Sequence, residues 1–242
     1  ENRVGNTFPE VIAKPFYRSL YLGSPPARGG SADENKKAMP QAYLIEQPAN
    51  SEVAAHFHDT NQFQVFVHGK GAFGKKPFDG VMVHYAKAHT TYGPISAGDD
   101  GAHYMTLRNN WDSGAKLMPA NRYKLRKIKR LHRVAEEVPV PDAAALKSVA
   151  VETADLIPLE EDGLGVRQFN IGPGHECAIT LETNGAGGYA YVVGGSVRYD
   201  GEEYETKSLI YRAHDDAPLA VKGGTEGASV LLLQFPPEPD GE

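Results

Sequence analysis

The chain has 242 residues, 40% hydrophobic and 23% charged, enough to bury the core of one large all-β domain or two small ones. A mean hydropathy of −0.43, with no apolar run near the length of a bilayer, excludes a membrane-spanning helix. A net charge of −6 argues against nucleic acid as the partner, and the lone Cys177, which has no second cysteine to pair with, points to a reducing cytoplasm. No basic segment followed by an apolar stretch opens the chain, so no signal peptide is expected.

In chain order the predicted elements are short strands. FQVFV (63–67), GVMVHY (80–85) and HYMTL (103–107) are β-branched or aromatic and are bounded by Gly, Pro, Asp or Asn. Residues 117–160 break this pattern. Their first part, 122–133, holds seven Lys/Arg and no acid, leaving the rest of the chain with 18 basic and 31 acidic residues, or −13. Without aromatic interleaving this basic run reads as a solvated connector, docked through Leu125, Ile128 and Leu131. Its Pro- and Ala-rich continuation has room for one helix at most. Strands resume with CAITLE (177–182), GYAYVV (188–193), KSLIYRA (207–213) and ASVLLLQF (228–235), with turn signals about every ten residues. That spacing favours a sandwich or barrel over βαβ units.

The two strand-rich halves repeat. At an offset of 126, Phe63, Val67 and Gly69 fall on Tyr189, Val193 and Gly195, and Tyr43 and Ile45 on Phe169 and Ile171. Gly101-Ala102 falls on Gly227-Ala228, and Leu107 on Leu233. The expected organisation is an N-terminal barrel over 1–116, a connector over 117–160 and a C-terminal barrel over 161–242.

The chemistry concentrates in AAHFHDTNQFQVFVHGKG. His56 and His58, two apart, share one face of a strand, and Gln62 and Gln64 return to that face. Paired imidazoles with an oxygen donor suit one divalent transition metal, Fe, Mn, Ni, Cu or Zn. At the same offset His56 becomes Glu182, His58 Asn184, Gln62 Gly188, His89 Asp215 and His103 Ser229. Scaffold positions persist in the second half while every candidate ligand is lost. His175 and His214 have no partner at ligand spacing and read as loop residues. His68 and His84 fall out of phase or near turns and read as structural.

The run from His56 through Gln62 to Gly69, His-x-His-x3-Gln-x6-Gly, resembles the first cupin motif, His-x-His-x3–4-Glu-x6-Gly, with Gln where cupins usually carry Glu. The stretch from Gly80 to His89 is a partial match to the second motif, Gly-x5-Pro-x-Gly-x2-His-x3-Asn. It reaches His89 two residues early and lacks the Pro, the inner Gly and the Asn. The whole chain resembles a bicupin: two tandem jelly-roll β-barrels, joined by a partly helical connector, with a degenerate second barrel. The resemblance implies a mononuclear metal on His56, His58, Gln62 and His89, with His103 and Gln64 as alternatives or as residues orienting a ligand. Iron is the first candidate, and oxygenase chemistry on a small organic molecule is the expected activity, with lyase or isomerase chemistry on Mn, Ni or Zn as the other metal-dependent outcome. The neutral Gln62 leaves the site one unit more positive than the family's Glu, which favours an anionic substrate. Tyr85, Tyr92 and Tyr104 are candidate substrate contacts, and no catalytic base is named. A non-catalytic binding or structural cupin is the alternative. A homodimer is expected by analogy, and neither nucleic acid nor membrane is expected as a partner.

Overall fold

The computed structural model describes residues 3–6, 9, 11–23 and 39–238. It is mostly β-sheet, as the strand-and-turn pattern predicts. Among the described residues, helix is limited to one 3-10 turn, Arg122–Lys124, and the short α1, Ala143–Lys147. No helix there is long and apolar enough to cross a membrane. The described residues form two compact units, one running up to residue 138 and including 238, the other of residues 139–237.

The first unit contains β1 (Arg3–Asn6), β2 (Phe16–Leu22), β3 (Gln41–Gln47), β4 (Glu52–Val53), β5 (His56–Phe57), β6 (Gln62–Phe73), β7 (Lys76–Asp79), β8 (Met82–Ala86), β9 (Ile95–Arg108), β10 (Lys116–Leu117) and β11 (His132–Ala135). Its main sheet runs β1-β2-β3-β9-β6-β8-β11, with β4 added on β9 and β7 on β6, while β5 and β10 form a separate ribbon. Long β6 and β9 pair antiparallel, with bulges at Phe66/His68 and at Gly69/Gly71. Phe66 sits at the centre of an aromatic cluster, 4.8 Å from the Phe78 ring and 4.9 Å from Tyr104. The basic segment exposes its charges apart from the half-buried Arg133, and Leu125, Ile128 and Leu131 are half-buried as well. Leu131 is tied down by a bond from its N–H to the Thr90 hydroxyl and by accepting the Lys87 N–H.

The second unit begins with α1, capped by Asp142, whose side chain accepts the Ala145 N–H. It continues with β12 (Val151–Ile157), β13 (Gly165–Ile171), β14 (Glu176–Ile179), β15 (Gly188–Tyr199), β16 (Glu202–Glu205), β17 (Leu209–Arg212) and β18 (Leu219–Gln234). The sheet order is β12-β13-β18-β15-β16, with β14 on β18 and β17 on β15. The stretch 117–160 therefore contributes β11 to the first sheet and β12 to the second.

The register of each unit tests the repeat strand by strand. Gly69 pairs with Ala102 as Gly195 pairs with Ala228, and the two bulges of β6 recur in β15, all at an offset of 126. At Gly69 and Gly195 the backbone is left-handed, φ 87° and 66°, and a Cβ would stand 2.0 Å and 2.1 Å from the Gly101 and Gly227 carbonyl oxygens. Only glycine tolerates that conformation at that approach. Upstream the offset differs. Ile45 faces Tyr104 as Phe169 faces Val230, so β3 lies on β13 at an offset of 124. The second unit thus carries two extra residues before β15, and the expected match of Tyr43 and Ile45 to Phe169 and Ile171 is two positions off. By the corrected offset, His56 and His58 fall on Thr180 and Glu182.

Candidate functional site

Strand β5 and the hairpin of β6 and β8 build the site. His56 forms a β-bridge with Tyr92, each backbone N–H bonding the other's carbonyl, so the two side chains share a face. His58 follows one alternation later, and the two imidazoles lie 5.1 Å apart, edge to face. His56 bonds the Ala54 carbonyl through Nδ1 at 2.7 Å, and His58 bonds Asp112 Oδ2 through Nδ1 at 2.8 Å. A carbonyl and a carboxylate only accept, so each ring carries its proton on Nδ1 and keeps its Nε2 lone pair. Burial holds both rings neutral. It lowers His56 to about 3, with the neighbouring His58 adding to the effect, and lowers His58 against the opposing pull of Asp112.

The Nε2 of His56 meets the Tyr92 hydroxyl at 3.0 Å, and the same hydroxyl accepts from Gln62 Nε2 at 2.7 Å. The phenol therefore donates to His56. Burial also drives the Tyr92 pKa up, so its proton stays on. Gln62 presents its other end to Arg108, which donates from Nε and Nη2 at 2.9 Å and 2.6 Å. Arg108, at the end of β9, also reaches Gln41 Oε1 at 3.2 Å and Asp112 Oδ2 at 3.4 Å. Burial opposes the Arg108 charge, but Tyr43 and Asp112 outweigh that and raise its pKa. Burial likewise opposes the Asp112 charge, and His58, Arg108 and Lys116 hold that carboxyl well below its ordinary value. Asp112 further accepts the Asp59 and Gly114 N–H groups. The turn after His58 is closed by Glu238, whose carboxylate accepts from Thr60 Oγ1 at 2.6 Å and the Asn61 N–H at 3.0 Å.

His56, His58 and Gln62 therefore come together, as the strand alternation predicts. His89 does not join them. Its ring packs 5.6 Å from Phe57, the residue that alternation turns away from His56, and its backbone sits at φ 60°. His103 stacks against His68 at 4.6 Å, because the bulge at Phe66/His68 changes the phase of the strand. Gln64 does face inward and accepts from His84 Nδ1 at 3.1 Å. Tyr85 packs on Phe63, on the opposite face of the hairpin from Gln64, and Tyr104 belongs to the aromatic core. Sequence reasoning missed Arg108, Asp112 and the inward placement of His84. With Gly101 taken as the inner glycine of the second motif, that motif's His and Asn positions fall on Tyr104 and Arg108.

The second unit lacks this chemistry at equivalent positions. Gln62, Gln64, His84 and Arg108 become Gly188, Ala190, Ile210 and Gln234 by register. Its His175 and His214 are exposed.

Whether the first unit's donors suit a divalent metal turns on what each has left to offer. No three His, Cys, Asp or Glu side chains stand at metal-holding distances among the described residues. Gln62 Oε1 is committed to Arg108. The imidazoles fit better: tethering the outer nitrogen of a histidine to a carbonyl or carboxylate is how proteins aim the other nitrogen at a metal. A further buried imidazole nitrogen, His84 Nε2, has no hydrogen-bond partner. The donor chemistry therefore suits a nitrogen-rich site, with Tyr92 displaced from His56.

No protein-family model and no curated protein matches the sequence. Solved structures do match. A candidate dioxygenase from Nostoc punctiforme aligns with a TM-score of 0.63 at 12% identity, covering 92% of this chain and 74% of that one. The formate complex of Lactobacillus farciminis oxalate decarboxylase aligns at 0.59 and 11% identity, covering 100% and 88%. A bacterial pirin from Escherichia coli, solved with nickel(II), aligns at 0.57 and 11% identity, covering 97% and 96%. At these identities the likeness speaks for the backbone and not for its chemistry. The chain has the cupin fold.

Proposed function

We propose that the chain is a bicupin whose first unit carries the working site, and that this site takes one divalent transition metal between His56 and His58 to act on a small organic molecule. The observation that carries the reading is the paired Nδ1 tethering to Ala54 and Asp112, which leaves two neutral Nε2 lone pairs in one buried interior. Such an ion would supply Lewis-acid polarisation or, as iron, oxygenase-type chemistry. The chain's own residues would supply the rest. Arg108 keeps a fixed positive charge beside the pair and favours an anionic substrate. Tyr92 holds a proton between His56 and Gln62, within reach of a bound molecule once its hydroxyl leaves His56. Asp112 fixes the His58 ring and balances Arg108.

A non-catalytic binding cupin is the second reading, favoured by the locking of Gln62 by Arg108 where the family's carboxylate would stand. Elemental analysis of untagged protein, after reconstitution with each metal in turn, separates the two. One equivalent per chain that disappears in His58→Ala supports the metal reading. No retained metal under any condition leaves the binding module.

A further inference from the structure

We infer that His84, not His89, supplies the third imidazole of the proposed metal site. The inference rests on the metal reading above and deepens it. His84 lies on β8 directly opposite Gln64 of β6, and directly opposed residues of an antiparallel pair share a face. It therefore points into the interior with Gln62 and Gln64, and it is fully buried. Its Nδ1 donates to Gln64 Oε1, so the ring is tethered in the same way as His56 and His58, by its outer nitrogen to an oxygen. The result is a lone pair on Nε2 with no partner. Leaving a buried polar atom unpaired is unfavourable, and such an atom in a native interior calls for an explanation.

All three rings gather round Tyr92. Its ring lies 4.6 Å from His56, 6.3 Å from His58 and 5.0 Å from His84. The second unit strengthens the assignment. The second unit, which lacks the histidine pair, also lacks this histidine and the amide that tethers it, carrying Ile210 and Ala190 in their places. His89 also has a buried, unpartnered nitrogen, Nδ1, but it lies on the Phe57 side of β5.

Titration of the metal-free protein with cobalt(II) tests this, read by calorimetry and by the visible ligand-field bands of the ion. His84→Gln and His84→Leu, each first shown to keep the wild-type circular dichroism, are compared with His89→Ala and His103→Ala. Both His84 variants are expected to bind cobalt at least about tenfold more weakly, with altered bands, while the other two match the wild type. Wild-type affinity and bands in the His84 variants would overturn this inference alone. A wild type that binds no cobalt would overturn the metal reading and this inference with it.

Discussion

Replacing Arg108 with leucine probes the centre of the buried network. Its side chain is 5% exposed, and it gives two hydrogen bonds to Gln62 Oε1, one to Gln41 Oε1 and an ion pair to Asp112. Leucine fills much of the volume but donates nothing. A buried acceptor left unpaired costs roughly 1–3 kcal/mol. Removing one member of a buried ion pair costs roughly 3–5 kcal/mol. These losses overlap, because Asp112 retains His58 and the Asp59 and Gly114 N–H groups. The expected destabilisation of the first unit is therefore about 3–5 kcal/mol in total. Denaturant unfolding read by the single tryptophan, Trp111, reports that unit, since the second unit has none. The double variant Arg108→Leu/Gln62→Leu should recover part of the loss, with a coupling of about 0.5–3 kcal/mol. A loss below about 1 kcal/mol, or strict additivity of the two substitutions, would refute the network as described.

Asp112→Asn keeps the shape beside His58 but removes the charge that orients its ring, and cobalt affinity should fall about 10–100-fold while the fold persists. Gly69→Ala and Gly195→Ala place a Cβ against a carbonyl oxygen in each unit and should each cost at least about 2 kcal/mol by thermal unfolding. Gly80→Ala, at φ 84° with open space around the Cβ, should cost only about 1–2 kcal/mol. Glu238 is pushed above its ordinary 4.5, mainly by burial, so the folded state holds that proton more tightly than the unfolded one. Its contribution to stability is therefore present at acid pH and lost as pH rises from 4.5 through the folded value. Glu238→Gln should flatten that slope in unfolding measured against pH, and an unchanged slope would count against the described burial.

Much of the fold is legible in the sequence because β6, β8, β9 and their counterparts repeat without a gap. Phe63 on Tyr189 and Gly69 on Gly195 hold in the register of the sheets. The slip at β3 and β13 was hidden because it is even. Shifting by two residues keeps the same faces inward, so Ile45 still meets an apolar side chain. The site was legible where it is local: His56, His58 and Gln62 lie within seven residues, on one alternation. Arg108 and Asp112 are remote in sequence and are joined to His58 only by the pairing of β9 with β3 and β6. His84 could have been found, because folding 62–67 and 80–85 as a hairpin sets it opposite Gln64. His89 misled because order along a motif does not determine a face. The backbone there turns through a left-handed residue and packs the ring on Phe57 instead.

The most direct test of the central claim is anomalous diffraction at the metal edge from crystals of the reconstituted protein. One peak per chain is expected, in the first unit, within bonding distance of Nε2 of both His56 and His58, with the Tyr92 hydroxyl moved off His56. A peak elsewhere, or none in protein that still folds with Arg108 on Gln62, would contradict it.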